Sequence, residues 1–148
     1  MISPEVLRRY PYFAHIGEES LKAVAKIAEE KSVPAGTQMF REGDPADMMN
    51  IIVRGEVKIQ YVLGSGERRT VDTLVDGDIL GWSALVEPYK YTAVGTASRD
   101  TQLVAIQAAR LRELCAQDPL MGYRLTAQIA KLLAHRLEGA RVQLAAAD

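Results

Sequence analysis

The sequence has little of what covalent or metal-based chemistry needs. Among its 148 residues there is one cysteine, Cys115, and there are two histidines, His15 and His135. A single cysteine cannot form a disulfide within the chain, and two histidines far apart in sequence have no recognisable metal-ligand spacing. We therefore expect no metal and no other cofactor.

Long apolar runs are also missing. No stretch approaches the roughly 18 apolar residues of a membrane-spanning helix, and the opening segment, MISPEVLRRYPYF, lacks the apolar core of a signal peptide. The formal net charge is −1, without the basic excess that favours nucleic acid or a membrane surface. We expect a cytoplasmic protein that contacts no membrane and does not bind nucleic acid on its own.

No group of residues indicates catalysis. Cys115 follows Leu114 in a helical pattern, which is typical of a small buried side chain rather than a nucleophile. Ser83 has no histidine near it in sequence. The aspartates at positions 44, 47, 76 and 78 fall in turns, where this residue type caps and bends the chain. We expect that the protein is not an enzyme.

The chain is 48% hydrophobic, which is enough apolar sequence for the core of one domain. Its residues follow three successive patterns. Residues 3–30 have helical spacing, residues 33–106 consist of short alternating or apolar runs cut by turns, and residues 108–144 return to helical spacing. Gly64–Glu67 is a strong hairpin signal. Many short strands are typical of an antiparallel sandwich or jelly-roll barrel. We predict a single domain, 1–148: mainly β with flanking helices, as an antiparallel β jelly-roll barrel with N-terminal helices and a long C-terminal helix.

The helices can be placed more closely. We predict Ser3–Arg9 and Glu18–Glu30 at the N-terminal end and Ala108–Gln117 after the strands. Asp118–Pro119 is typical of an N-cap followed by proline at the first helical position. The long helix that follows has an apolar stripe formed by Leu125, Ile129, Leu132, Leu133, Leu137, Ala140 and Leu144.

The segment Asp76–Ala97 combines a turn, a strand end, a short helical turn, a loop with a cation and another strand. Backbone N–H groups that open a short helix, with Lys90 nearby, are typical of a phosphate site. At Gly81 the missing side chain would let an anion approach the backbone. The alternative is an ordinary strand-to-helix turn followed by a solvated lysine.

This segment resembles the phosphate-binding cassette of the cyclic nucleotide-binding domain family, the sensor of the catabolite-activator type of bacterial regulators. The strand-and-turn pattern of the family also lies upstream, at residues 34–37, 41–47 and 51–59. The resemblance covers nearly the whole chain. It implies the family's fold and a small phosphorylated ligand, with cyclic AMP or cyclic GMP as the leading possibilities.

Two positions differ from the family's cassette. In the family a Gly-Glu pair opens the short helix, the Glu takes the ribose 2′-hydroxyl, and a later Arg takes the cyclic phosphate. Here Gly81 is followed by Trp82, and Lys90 stands at the Arg position. An indole offers no acceptor, and losing one costs on the order of 1–3 kcal/mol. The ring of Trp82 either stacks on a purine or fills the ribose site.

The resemblance also assigns residues to the ligand. The predicted ligand-binding residues are Leu80, Gly81, Trp82, Ser83, Ala84, Lys90, Tyr91 and Thr92. In the catabolite-activator branch the long helix pairs with its twin in a homodimer and lends polar side chains to the base. Here the base-facing positions fall near Arg136 and Leu137, so that His135 and Arg136 are possible base contacts. The simpler interpretation of the apolar stripe is that it packs on the strands and pairs with the same helix of a second copy.

Three functions follow from these observations. The first is a stand-alone regulatory module that binds a cyclic mononucleotide and signals through its C-terminal helix. The second is a domain that has lost its ligand and acts as a dimerisation or protein-interaction scaffold. The third is the sensor part of a transcription regulator without its DNA-binding domain, since no helix-turn-helix follows the long helix in this sequence.

Overall fold

The computed structural model describes residues 1–147. Helices α1 (Pro4–Arg8) and α2 (Glu18–Lys26) come first, and α3 (Ala108–Gln117) and α4 (Pro119–Ala146) come last. Between them lie strands β1 (Ala28–Val33), β2 (Gln38–Phe40), β3 (Met48–Arg54), β4 (Glu56–Val62), β5 (Arg68–Val75), β6 (Ile79–Leu80), β7 (Val94–Ala97) and β8 (Thr101–Gln107). A single 3-10 turn, Trp82–Leu85, separates β6 from β7.

The strands form two antiparallel four-stranded sheets, in the orders β1-β8-β3-β6 and β2-β7-β4-β5. In the first sheet Ile51 lies opposite Val104. In the second, β4 and β5 form the hairpin predicted at Gly64–Glu67. The prediction of a mainly antiparallel β fold with flanking helices is confirmed. Over residues 1–147 the two sheets do not close into a barrel, so that part of the prediction is not confirmed and the architecture is an open β-roll.

One helix boundary was wrong. The spacing predicted a helix over Glu18–Glu30, but α2 ends at Lys26 and Ala28 already pairs with Ile106 as the first residue of β1. The strands therefore begin before position 33. Ala25 and Ala28 continue the helical spacing, so the pattern does not reveal that the chain changes from helix to strand here. Pairing with β8 overrides the helix preference of the glutamates and the lysine that follow.

The apolar side chains form two clusters. The larger one lies between the helices and the first sheet, where Phe13, Met49 and Leu111 are fully buried. The smaller one lies between the two sheets around Ile52 and Val57. The helices thus pack against the first sheet, and a gap remains between α4 and the second sheet.

Asp118 begins α4 as predicted. Its carboxylate accepts a hydrogen bond from the Met121 N–H at 3.2 Å and another from the Ser20 hydroxyl of α2. The apolar stripe of α4 has two parts: its first part is buried in the core, whereas Leu137 and Leu144 are 52% and 72% exposed. Neither α4 nor any other helix in the described residues combines the length and apolarity needed to cross a bilayer.

Candidate functional site

A cavity of about 500 Å³ lies between the second sheet, the 3-10 turn and α4. This volume falls within the roughly 300–1,000 Å³ range of small-molecule pockets. Apolar and aromatic side chains form most of its wall. The lining residues are Phe40, Ile59, Tyr61, Val71, Asp72, Leu74, Ile79, Leu80, Gly81, Trp82, Ser83, Tyr91, Thr92, Ala93, Leu132, Leu133, Arg136, Leu137 and Ala140.

The glycine that opens the 3-10 turn is required by the backbone. Gly81 has a φ of 91°, and a Cβ added there would lie 2.9 Å from the Met48 carbonyl oxygen. The Ala84 N–H donates to the Gly81 carbonyl at 3.0 Å and closes the turn. Within residues 1–147 the N–H groups of Trp82 and Ser83 have no acceptor. Both residues line the cavity.

Trp82 is half-buried. Its ring packs against the larger core cluster and also lines the cavity. Ser83 beside it is buried and lines the same wall. Trp82 and Ser83 thus lie side by side at the edge of the cavity.

The ring of Tyr91 is fixed in the wall. It stacks on Phe40 with ring centroids 3.8 Å apart and planes 9° from parallel. Its hydroxyl donates to the Met48 carbonyl oxygen at 3.4 Å. Burial, followed by the nearby charges of Asp47 and Asp44, raises the pKa of Tyr91 to about 12. Tyr91 thus contributes an aromatic face, and Thr92 next to it is an exposed residue of the lining.

Three of the predicted contacts lie outside this cavity. Lys90 is exposed and forms an isolated strand-like bridge with Pro45. Ala84 is buried, and its carbonyl accepts from Arg112 Nη1 at 2.7 Å. His135 lines an adjoining groove of about 460 Å³ between β5 and α4, which shares Asp72 and Arg136 with the cavity. Their predicted roles in ligand binding stay predictions.

Arg136 of α4 is both a lining residue and an ion-pair centre. Its Nη1 lies 3.0 Å from Asp72 Oδ1 on β5, and its Nη2 lies 2.8 Å from Asp78 Oδ2. The Arg136 side chain is 28% exposed. One side chain thus connects α4 to the second sheet and to the turn before β6.

The turn Asp76–Asp78 is held by several contacts besides Arg136. Asp78 Oδ2 also accepts from the Val75 N–H at 2.8 Å, and Asp76 Oδ1 accepts from the Gly55 N–H at 2.9 Å. The Tyr12 hydroxyl donates to the Gly77 carbonyl at 3.0 Å. Burial and the charge of Asp78 raise the pKa of Tyr12, and Arg136 opposes them. The local turn role predicted for Asp78 is confirmed, whereas the Asp76 carboxylate bonds to Gly55, 21 positions away.

Sequence reasoning missed four residues around the cavity. Asp72 and Asp78 were not recognised as partners of Arg136, and Phe40 and Arg112 were not connected with the cassette segment. The contacts of Arg136 with Asp72 and of Arg112 with Ala84 join residues 64 and 28 positions apart. No periodicity connects such positions. Nothing in the β5 sequence RRTVDTLV marks Asp72 as the partner of an arginine on a distant helix.

Residues 30–118 match the cyclic nucleotide-binding domain family. The chain belongs to this family. The observed β-roll, with a turn segment between β6 and β7 and helices after the last strand, agrees with the resemblance inferred from the cassette and from the upstream strands.

Relatives of known description agree with the assignment. A CRP-like cAMP-activated global transcriptional regulator of Mycobacterium tuberculosis is 26% identical over 141 residues, which cover 95% of this chain and 61% of that protein. The chain thus spans less than two thirds of this curated relative. A structure from Geobacter metallireducens GS-15, assigned as a cyclic nucleotide-binding protein, has 39% identity and a TM-score of 0.84, covering 93% of this chain and 99% of that one.

A second structure contains a ligand. The regulatory domain of Toxoplasma gondii PKA, crystallised with cAMP, is 26% identical with a TM-score of 0.67, covering 75% of this chain and 42% of that one. Domains of this family therefore act as cyclic nucleotide sensors in proteins of different overall length.

Proposed function

We propose that this chain is a non-catalytic sensor module that binds a cyclic mononucleotide, cyclic AMP or cyclic GMP, in the 500 Å³ cavity and signals through α4. The observation that carries the proposal is the composition of the cavity wall. Gly81, Trp82 and Ser83 of the cassette segment form one side, and Leu133, Arg136 and Leu137 of α4 form another. A ligand in this space would contact both the family's binding segment and the helix.

The chemistry of the wall suits a nucleotide. The free N–H groups of Trp82 and Ser83 are donors for the acceptor atoms of a phosphate or a base edge. The half-buried indole and the Phe40–Tyr91 stack offer flat apolar surface for a purine ring. The cavity provides no carboxylate at position 82 for the ribose 2′-hydroxyl, so that we expect weaker binding than a glutamate there would give.

The signalling step is a shift between two positions of α4. Ligand binding changes the population of these positions only if the ligand interacts differently with each. We expect the ligand to favour one position of α4, because Arg136 and its neighbours form part of the wall while the helix beyond them is exposed. A partner or a second copy of the chain would detect the change on this exposed part.

The test uses Trp82, the one tryptophan of the chain. Emission at low ligand concentration and isothermal titration calorimetry over the full range are measured with cyclic AMP and cyclic GMP. A saturable signal with a stoichiometry of one per chain supports the proposal. Absence of heat and of any emission change up to millimolar ligand contradicts it.

A second function is favoured by the exposed end of α4. Leu137, Val142 and Leu144 are more than half exposed, which is unusual for three large apolar side chains on one helix segment. If the cavity binds no nucleotide, the domain would act as a dimerisation scaffold through this surface. The role as the sensor part of a longer regulator is compatible with either function, because the curated relative above is longer than this chain.

A further inference from the structure

Strand β5 is an edge of the second sheet. Over residues 1–147 it pairs with β4 on one side and with no strand on the other. An edge strand presents unpaired backbone N–H and C=O groups, which can pair with another chain. Several exposed residues of β5 have the β-branched side chains that strands favour: Thr70, Val71, Thr73 and Val75. Left uncovered, this edge would favour pairing with a further strand.

The pairing of β4 shows which N–H groups of β5 point outwards. The Glu56 carbonyl accepts from the N–H of Ser98, directly after β7, at 3.0 Å, so that the backbone groups of Glu56 face β7. Val75 lies opposite Glu56, and its N–H therefore points away from β4. Thr73, two residues earlier, has the same orientation, because the direction alternates along a strand. Thr73 and Val75 thus carry two N–H groups of the free edge.

Each of these two N–H groups donates to an aspartate carboxylate. The Thr73 N–H donates to Asp72 Oδ1 at 2.9 Å. The Val75 N–H donates to Asp78 Oδ2 at 2.8 Å. Arg136 of α4 contacts the same two oxygens, with Nη1 3.0 Å from Asp72 and Nη2 2.8 Å from Asp78. One guanidinium therefore joins the two carboxylates that cap the edge.

The two caps differ in how much they depend on Arg136. Asp78 is also held by its own turn, because its N–H donates to the Val75 carbonyl at 3.0 Å. The Asp72 carboxylate caps only the next residue along the strand, and its side chain is 38% exposed. A guanidinium fixes a carboxylate through charge-assisted hydrogen bonds of defined direction. We therefore expect the cap on Thr73 to weaken most when Arg136 is withdrawn.

We propose that Arg136, Asp72 and Asp78 form a latch that covers the free edge of β5 while α4 lies against the second sheet. A displacement of α4 withdraws the guanidinium from both carboxylates together, and the N–H groups of Thr73 and Val75 then exchange their caps for water. The position of α4 therefore controls how accessible the edge of β5 is. The latch consists of residues of this chain alone, so the inference goes beyond the proposed function and needs no ligand.

Amide hydrogen exchange, measured by NMR on the full chain without ligand, tests the latch. In Arg136→Gln we expect the exchange rate of the Thr73 amide to rise at least about tenfold and that of Val75 several-fold. The Leu74 amide, which faces β4, is the internal reference and should stay within about twofold of the wild type. Arg141→Gln, which replaces an exposed arginine further along α4, is the matched control and should change none of these rates.

Two results of this comparison would overturn the latch. Wild-type rates at Thr73 and Val75 in Arg136→Gln would mean that the carboxylates cap the edge without the guanidinium. A rise at Leu74 equal to that at Thr73 would mean that the whole sheet has loosened. A thermal melt of each variant shows that it is folded.

Salt provides a second test that does not depend on the folding of a variant. Raising the NaCl concentration from about 0.1 M to about 1 M shortens the screening length from about 10 Å to about 3 Å and weakens partly exposed ion pairs. In the wild type we expect Thr73 exchange to accelerate relative to Leu74. In Arg136→Gln this dependence should be smaller. A constant ratio of the two rates in the wild type would contradict the proposal.

The double variant Asp72→Asn/Asp78→Asn tests the latch from the side of the helix. If the carboxylates hold α4, the amides of residues 136–140 should exchange several-fold faster than in the wild type. Glu67→Gln, which replaces an exposed carboxylate of the hairpin between β4 and β5, is the matched control and should leave α4 unchanged. Wild-type exchange in α4 of the double variant would show that the aspartates cap β5 only locally, and the coupling to the helix would be wrong.

Discussion

The guanidinium carbon of Arg112 lies 4.0 Å from the centroid of the Tyr89 ring. The same side chain donates from Nη1 to the Ala84 carbonyl at 2.7 Å. Arg112 belongs to α3, Ala84 to the 3-10 turn, and Tyr89 to the loop after it, where its φ is 58°. One arginine of α3 therefore holds both parts of the cassette segment in position.

Replacing Arg112 should destabilise the protein. We expect Arg112→Ala to lower the free energy of unfolding by about 1–3 kcal/mol, because the hydrogen bond to Ala84 and the cation–π contact are both lost. Arg112→Lys should recover less than half of this, since an ammonium lacks the planar fork. Arg110→Ala, an exposed arginine of α3, is the control for urea denaturation. Equal losses at positions 110 and 112 would contradict the role of Arg112.

Substitution of Gly81 should reveal its contact with β3. We expect Gly36→Ala to cost about 1–2 kcal/mol, because its φ of 87° is unfavourable but nothing lies within 4 Å of the added Cβ. Gly81→Ala has a similar φ and adds a contact of 2.9 Å with a backbone oxygen of β3. The decrease in the free energy of unfolding, measured by urea denaturation, should be larger for Gly81→Ala than for Gly36→Ala by at least about 1 kcal/mol. Equal losses would mean that the carbonyl of Met48 can move away.

Tyr91 predicts a dependence of stability on alkaline pH. The pKa of Tyr91 is raised to about 12 by burial, against about 10 in an unfolded chain. Its contribution is fully present below pH 10 and is lost as the pH rises towards 12, because only the unfolded state then releases the proton. Tyr91→Phe retains the stack on Phe40 and should flatten this loss. Tyr61→Phe, which removes an exposed phenol, is the control, and identical pH profiles for the two variants would be evidence against the prediction.

The contact between Ser20 and Asp118 predicts a dependence on acidic pH. The Ser20 hydroxyl, followed by the Met121 N–H, lowers the pKa of Asp118. A lowered pKa contributes stability above about pH 3.9, the value for an unfolded chain, and this is lost as the pH falls through the folded value. Ser20→Ala should therefore melt earlier than the wild type at pH 7, with the difference shrinking below pH 4. Ser32→Ala, on an exposed strand position, is the control. If the difference in melting temperature between Ser20→Ala and the wild type stays constant down to pH 2, titration of Asp118 is not its cause.

The exposed part of α4 should govern self-association. We expect the chain to dimerise through Leu137 and Leu144, because a second copy would cover the side chains that the core leaves exposed. The double variant Leu137→Gln/Leu144→Gln should shift sedimentation towards the monomer by at least about tenfold in dissociation constant. Val62→Gln, an exposed apolar residue of β4, should leave association unchanged. A monomeric wild-type chain at high micromolar concentration would exclude this interface.

The fold was predictable because its signals are local. The change from helical to alternating spacing and back placed the strands between two helical ends, and Asp118–Pro119 marked the start of α4. The prediction failed at Ile27–Glu30, where a neighbouring strand decides the conformation. Closure of the sheets could not be judged from the sequence, because it depends on pairings between strands that are distant along the chain.

The site was only partly predictable for the same reason. Gly81, Trp82 and Ser83 follow β6 directly, and their place at the cavity wall follows from the strand. Lys90 is four residues beyond Val86, and the path of that loop is fixed by its bridge to Pro45 and by Arg112. Alignment by spacing alone placed Lys90 in the motif, but it cannot show whether the lysine side chain faces the cavity.

The ion pairs of Arg136 with Asp72 and Asp78 hold α4 at one point along its length. Arg136 is the last residue of this 28-residue helix that bonds to the sheet within the described chain, and residues 137–146 beyond it are all exposed. At about 1.5 Å per residue this segment is a lever of about 15 Å. A tilt of roughly 10° about Arg136 would move its tip by about 3 Å. In the proposed signalling step, the contacts of Arg136 with the sheet therefore set how far the tip of α4 moves.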